Sequence, residues 1–217
     1  DEFLSAKKYE TVLEGVDIFK DDSLLHKPGS KYAYSSYGWN LISAAMESAA
    51  EEEFLAFVQR VVFDSLGMEN TVADHVEQII PGRTRYYIKD KEGNHVNAPF
   101  VDNSYKWAGG GFLSTTEDMM KFGQAHLKAG YLKKETLELF FKSQETTSGE
   151  VTDYGMGWAT YHADNGRTYY GHSGGSVGGT TAFMFDSKQE IVIAIVSNMS
   201  SVRYGKIPMK LLGHFLD

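Results

Sequence analysis

Apolar residues recur with a helical period through the first part of the chain and fall into short alternating or continuous runs in the last part. Tyr9, Val12, Leu13 and Val16 stand at i, i+3, i+4 and i+7, which predicts a first helix. Pro28-Gly29 marks a turn, and Tyr32 and Tyr34 then alternate with small residues. Ser35 or Ser36 caps a second helix that carries Tyr37, Leu41, Ala44, Ala45 and Ser48 along one face. Phe54, Phe57, Val58, Val61 and Val62 define a third helix, stopping near Gly67, with Glu51-Glu52-Glu53 as its solvated start. Short strands are expected from Arg83 to Phe100, turning at Glu92-Gly93-Asn94. Trp107 to Leu113 reads as a tight loop. Ser114-Thr115-Thr116-Glu117 then forms a capping box opening a helix with Met119, Phe122, Gly123 and His126 on its core side, ending at Gly130. A further helix covers Lys134 to Phe141. Strands follow at Tyr154 to Tyr161, Arg167 to His172, Gly179 to Phe185 and Glu190 to Ser197, and a helix from about Gly205 to Leu216 closes the chain. This order predicts a mixed α/β (α+β) fold in one domain, 1–217, helical to about 145 and sheet-rich from 146, with an antiparallel sheet flanked by helices.

One stretch departs from these patterns. Between the strand runs at Thr168 and Ala182 lies Gly171-His172-Ser173-Gly174-Gly175-Ser176-Val177-Gly178-Gly179, with five glycines in nine residues. Glycines inside a strand mark a bulge or a close approach by a ligand or another backbone. Gly171-x-Ser173-x-Gly175 matches the nucleophile elbow, which would make Ser173 the attacking group, but the elbow needs a helix after the turn and a β-rich run follows here. In the alternative, His172-Ser173-Gly174 is a strand that lines a site and offers backbone N–H groups. The histidine also has a plain reading, as a hydrogen-bonded core or loop residue.

Composition narrows the partners. The net charge of -8 argues against nucleic acid or an anionic membrane surface, and no apolar run is long enough to span a bilayer. With zero cysteines there is neither a disulfide nor a thiolate metal site, while compartment stays open. His162 and Asp164 fall at a hairpin tip around Asp164-Asn165-Gly166, away from His172, so no metal and no other cofactor is expected. The chain begins at Asp1 rather than Met, which suggests a processed form or a fragment.

Three motifs in order, taken together, resemble the serine β-lactamase and penicillin-binding-protein superfamily, in its class C and esterase-like branch. They are Lys27-Pro28-Gly29 leading to Tyr34-Ser35-Ser36, then Ala108-Gly109-Gly110-Gly111 leading to Ser114-Thr115 and Asp118, then His172-Ser173-Gly174. Val101 to Trp107, running into the glycines, is similar to a mitochondrial, filament-forming branch found in animals. The resemblance implies a transpeptidase-like fold, a mitochondrial location, and either a peptide or small acyl substrate or assembly into a homo-oligomer or filament.

It also implies a chemistry. A serine hydroxyl attacks an amide or ester carbonyl to give an acyl-enzyme, and being a weak nucleophile it needs a base. The family uses the lysine of Ser-x-x-Lys, helped by the tyrosine of Tyr-x-Asn, and by position Tyr34 holds the relay. A phenol serves only where positive charge favours the phenolate, and His172 in the Lys-Thr-Gly lysine position would supply that charge or a proton. Gly174 closes the strand motif, and the Gly175 N–H would be one oxyanion donor. The chain departs from the pattern twice. Ser36 stands where an asparagine amide normally meets substrate, and the Ser-x-x-Lys string Ser5-Ala6-Lys7-Lys8 lies before an amphipathic helix instead of opening a buried one. The nucleophile helix and the first strands are therefore expected outside these 217 residues, which by themselves are expected to be inactive.

Overall fold

A computed structural model describes residues 4–164 and 166–215. Helix α1 (Val12–Val16) is capped by Thr11, whose hydroxyl accepts from the Glu14 N–H. Helix α2 (Ser36–Ala50) takes Ser35 as its N-cap and ends at Glu51, which turns left-handed at φ 52. Glu51 thus closes α2, while Glu52 pairs with Arg60, so the acidic run is a junction between helices and not simply a solvated start. Helix α3 (Phe54–Val58) continues as a π-turn over Gln59–Asp64.

Strand β1 (Val72–Ala73) pairs with β4 (Phe112–Leu113), and β2 (Tyr87–Lys89) pairs with β3 (His95–Asn97) as the expected hairpin. Between them Ser104–Lys106 forms a 3₁₀ turn and α4 (Trp107–Gly110) a single helical turn, so the predicted tight loop is helical. Helix α5 (Thr116–Gln124) is capped by Thr115, not Ser114, with the Asp118 N–H donating to its hydroxyl at 3.2 Å. It also ends short of Gly130. The His126 ring takes the Phe122 carbonyl at 2.8 Å and its backbone N–H moves to Gly123 at 2.9 Å, which closes the last turn early. Helix α6 (Lys134–Phe141) has its expected limits.

A four-stranded antiparallel sheet follows in the order β5 (Ala159–His162), β6 (Thr168–Ser176), β7 (Gly179–Asp186) and β8 (Ile191–Ser197). Helix α7 (Ile207–His214) comes last. Residues 154–158 are a turn and not the start of β5, because Gly157 lies at φ 84 and the Gly155 N–H closes onto the Trp158 carbonyl.

Period-2 alternation in β7 decides which helices cover which face. Phe183 and Phe185 join Trp158 and Val192 in a core against Met119, Phe122, Phe140 and Phe141 of α5 and α6. Met184, between them, points the other way into a cluster with Tyr169 and Leu212 of α7. Phe185 is fully buried, a burial that contributes about 2–3 kcal/mol. Val12, Phe54 and Trp107 make a third core that ties α1 and α3 to α4.

Candidate active site

The site forms where β6 outruns its neighbour. Strand β5 pairs with β6 only as far as Ala159 opposite Gly171, while β7 stays paired out to Gly179 opposite Ser176. Among the described residues, His172 to Ser176 therefore have a strand partner on one edge only. A two-residue turn, Val177-Gly178 with Gly178 at φ 82, joins β6 to β7. In such hairpins the closing pair, here Ser176 and Gly179, is hydrogen-bonded. Bonded pairs alternate along an antiparallel ladder, so His172, Gly174 and Ser176 turn their backbone groups to β7. Ser173 and Gly175 present theirs to the open edge. In agreement, the Ser173 carbonyl accepts from the His172 ring at 2.6 Å.

Tyr34 reaches this edge from the residue before the α2 cap. Its ring centroid lies 5.6 Å from that of His172, and the side chain is half-exposed. Both rings of the sequence-predicted pair thus share one surface. Ser36 is placed differently from a group offered to solvent: it is 7% exposed and sits on Gly109, where a Cβ would lie 2.9 Å from the Ser36 carbonyl oxygen. The Ala108-Gly109-Gly110 motif gives the start of α2 room to approach. Gly174 is exposed on the sheet, with a would-be Cβ 2.5 Å from the Thr181 hydroxyl, and Gly175 has open space around it.

Sequence reasoning missed one residue. The Tyr154 hydroxyl lies 2.9 Å from His172 Nε2, and its ring is 6.2 Å from Tyr34 and 5.5 Å from Tyr32. Its signal in the sequence is Tyr154-Gly155-Met156-Gly157-Trp158, an aromatic held on a two-glycine turn, where the pattern predicts the head of a strand. Burial raises the phenol of Tyr154 well above its ordinary value, and negative charge on Tyr34 and Tyr32 raises it further. Burial likewise raises Tyr32, with charge on Tyr34 adding to it.

The nucleophile-elbow reading fails on geometry. Ser173 lies inside β6 opposite Ala182, and a turn and another strand follow it where the elbow requires a helix. Ser5 sits in an irregular segment before α1, its hydroxyl accepting from the Lys7 N–H and its carbonyl from the Asp102 N–H. It does not open a helix. His162 pairs with Asp153 at 3.3 Å.

The Beta-lactamase family model matches residues 2–206. The chain belongs to the beta-lactamase family. Within the family it is 34% identical to the mouse (Mus musculus) serine beta-lactamase-like protein LACTB, mitochondrial, over 96% of this chain and 45% of that protein. The chain thus spans less than half the length of that relative. Among solved structures, the octameric penicillin-binding protein homologue from Pyrococcus abyssi superposes with a TM-score of 0.80 at 27% identity, over 95% of this chain and 48% of that one. The D-amino acid amidase from Ochrobactrum anthropi SV3, in complex with L-phenylalanine amide, superposes with a TM-score of 0.74 at 18% identity, over 99% of this chain and 64% of that one, a likeness of fold. The transpeptidase-like α+β architecture expected from the motifs is the architecture of the chain.

Proposed function

We propose that the protein is a serine hydrolase of peptidase, amidase or esterase type that works through an acyl-enzyme, and that Tyr34 is its proton relay. The reading rests on one observation: the Tyr34 and His172 rings stand 5.6 Å apart beside a strand edge whose Ser173 and Gly175 amides face outward. The attacking hydroxyl comes from a Ser-x-x-Lys helix of the whole protein beyond these 217 residues, so that the chain alone does not turn over substrate. Tyr34, as phenolate, takes the serine proton while the serine oxygen bonds to the acyl carbon. The Gly175 N–H and the nucleophile's own N–H stabilise the oxyanion, each worth about 3–4 kcal/mol. Tyr34 returns the proton to the departing amine or alcohol as the C–N or C–O bond breaks, and water then releases the acyl group by the same path. The lysine of the Ser-x-x-Lys helix favours the phenolate by its charge, while His172, with Nδ1 on the Ser173 carbonyl and Nε2 on the Tyr154 hydroxyl, stands as a neutral ring against Tyr34. Ser36 packs the relay loop onto Gly109, and Gly174 keeps the strand free of side chain beside the edge.

By its likeness to relatives named as mitochondrial, the protein belongs in that compartment. No helix among the described residues is long and apolar enough to cross a membrane. Full-length protein incubated with a fluorophosphonate or penicillin-type probe, digested and mapped, tests the assignment. Label on a Ser-x-x-Lys serine, lost in Tyr34→Phe, supports it; label on Ser173 overturns it.

A second reading makes the protein a subunit of a homo-oligomer or filament with a silent site. It is favoured by the octameric relative and by Leu24, Leu25 and Ile79, which are 77%, 80% and 98% exposed. Electron microscopy of the full-length protein beside a Tyr34→Phe hydrolysis assay separates the readings: assemblies with turnover unchanged by the substitution favour the scaffold.

A further inference from the structure

Both ring nitrogens of His172 are committed. Nδ1 faces the Ser173 carbonyl at 2.6 Å, and a carbonyl only accepts, so Nδ1 carries the proton in the neutral ring. Nε2 is then an acceptor, and its partner is the Tyr154 hydroxyl at 2.9 Å. His172 therefore has no free nitrogen to turn toward Tyr34, and its orientation is set by a residue eighteen positions earlier in the chain.

The backbone that carries Tyr154 is fixed from several directions. Its carbonyl accepts from the Gln144 N–H at 2.8 Å, and its N–H donates to the Thr152 hydroxyl at 3.3 Å. On one side the turn is pressed against α6: a Cβ on Gly155 would fall 2.1 Å from the Phe140 carbonyl oxygen, and the Met156 N–H donates to that same oxygen at 3.0 Å. On the other, Gly157 at φ 84 lies under the Trp39 ring of α2, 3.2 Å from a would-be Cβ. The turn thus bridges α2, which follows the Tyr34 loop, and the sheet that carries His172. The Tyr154 ring also meets both His172, edge-on at 5.7 Å, and Tyr34.

We propose that Tyr154 is a positioning residue: its hydroxyl locks the His172 imidazole in the Nδ1–H form and holds the ring against Tyr34 across the open edge of β6. Its consequence for turnover rests on the hydrolase reading above. The lock itself does not.

The experiment is a double-mutant cycle on full-length protein with two readouts. The rate of fluorophosphonate acylation is measured for wild type, Tyr154→Phe, His172→Gln and the pair, with thermal midpoints alongside. Loss of a residue that only orients a catalytic group typically costs about 10–100-fold, so that range is expected for Tyr154→Phe. In the His172→Gln background the same change is expected to cost nothing further, since a residue acting through His172 has nothing left to act on. Losses that multiply, or an unchanged rate in Tyr154→Phe with an unchanged midpoint, overturn the proposal. The second readout is NMR of the His172 ring in ¹⁵N-labelled protein. Wild type is expected to show a protonated Nδ1 and an Nε2 shifted by an accepted hydrogen bond, and Tyr154→Phe to lose the Nε2 shift. If wild type is not acylated at all, the hydrolase reading fails while the ring signals still judge the lock: an Nε2 signal indifferent to Tyr154→Phe removes it.

Discussion

Gly171 lies opposite Met184 so closely that a Cβ on it would fall 2.1 Å from the Phe183 carbonyl oxygen and 2.9 Å from the Met184 Cα. By the alternation set at the hairpin, this is a non-hydrogen-bonded pair, the kind in which antiparallel strands come nearest. The first glycine of the Gly-x-Ser-x-Gly string is thus accounted for by strand packing. Gly171→Ala is expected to lower stability by about 1–3 kcal/mol through overpacking. Urea unfolding of the full-length protein measures it, with m unchanged. A wild-type midpoint joined to lost acylation would move this glycine from the sheet to the site.

Gly175 is the contrasting case. Among the described residues nothing lies within 4 Å of a would-be Cβ there, and its N–H faces away from β7. Gly175→Ala is expected to be tolerated, whereas Gly175→Pro deletes the amide without removing a ladder bond, since proline is accepted on an open strand edge. Acylation of the proline variant is expected to fall by about 100- to 1,000-fold with the thermal midpoint nearly kept. A proline variant that acylates normally would remove Gly175 from the oxyanion site.

Much of this arrangement was legible because the chain obeys local rules where packing is simple. Lys134–Phe141 forms its helix at the expected limits, and Phe183, Met184 and Phe185 divide between the two sheet faces as alternation requires. What was not legible depends on side chains meeting across the fold. The α5 boundary shifted because the His126 ring captured a carbonyl, and the cap moved to Thr115 because Asp118 is drawn to the 70–71 segment. Tyr154 stayed hidden for the same reason: its importance lies in a bond to His172 that no periodicity reports.

His126 also makes stability depend on pH. It is 4% exposed among Phe122, Phe140 and Trp158, and burial lowers its pKa below the ordinary histidine value although the Phe122 carbonyl opposes the shift. A depressed folded pKa means that the unfolded chain binds the proton first as pH falls. The contribution is therefore full above about pH 6.5, the unfolded value, and is lost as pH drops toward the folded one. His126→Gln, which retains a donor for the Phe122 carbonyl, is expected to flatten the decline in thermal midpoint between pH 7.5 and pH 5. Equal slopes in the two proteins would assign the pH dependence to other groups.

Asp118 belongs to the matched motif but stands outside the cleft chemistry. It is fully buried at the start of α5, where its carboxylate accepts from the Asn70 N–H at 2.7 Å, the Thr71 hydroxyl at 3.0 Å and Lys121 Nζ at 3.1 Å. Those bonds fasten α5, and through it the sheet, to the segment before β1. Removing the carboxylate takes the acceptor from the Asn70 N–H and the buried Thr71 hydroxyl, at about 1–3 kcal/mol for each group left unpaired, whereas the part-exposed Lys121 keeps the Gly67 carbonyl and water. Asp118→Ala is accordingly expected to cost about 3 kcal/mol or more. Asp118→Asn should cost less, because its amide oxygen still accepts from the Asn70 N–H, and should also lose sensitivity to Lys121→Met. Chemical denaturation of the two single variants and the Asp118→Asn, Lys121→Met pair measures both effects. Equal losses for Ala and Asn would mean that the negative charge, rather than the acceptor geometry, holds the helix in place.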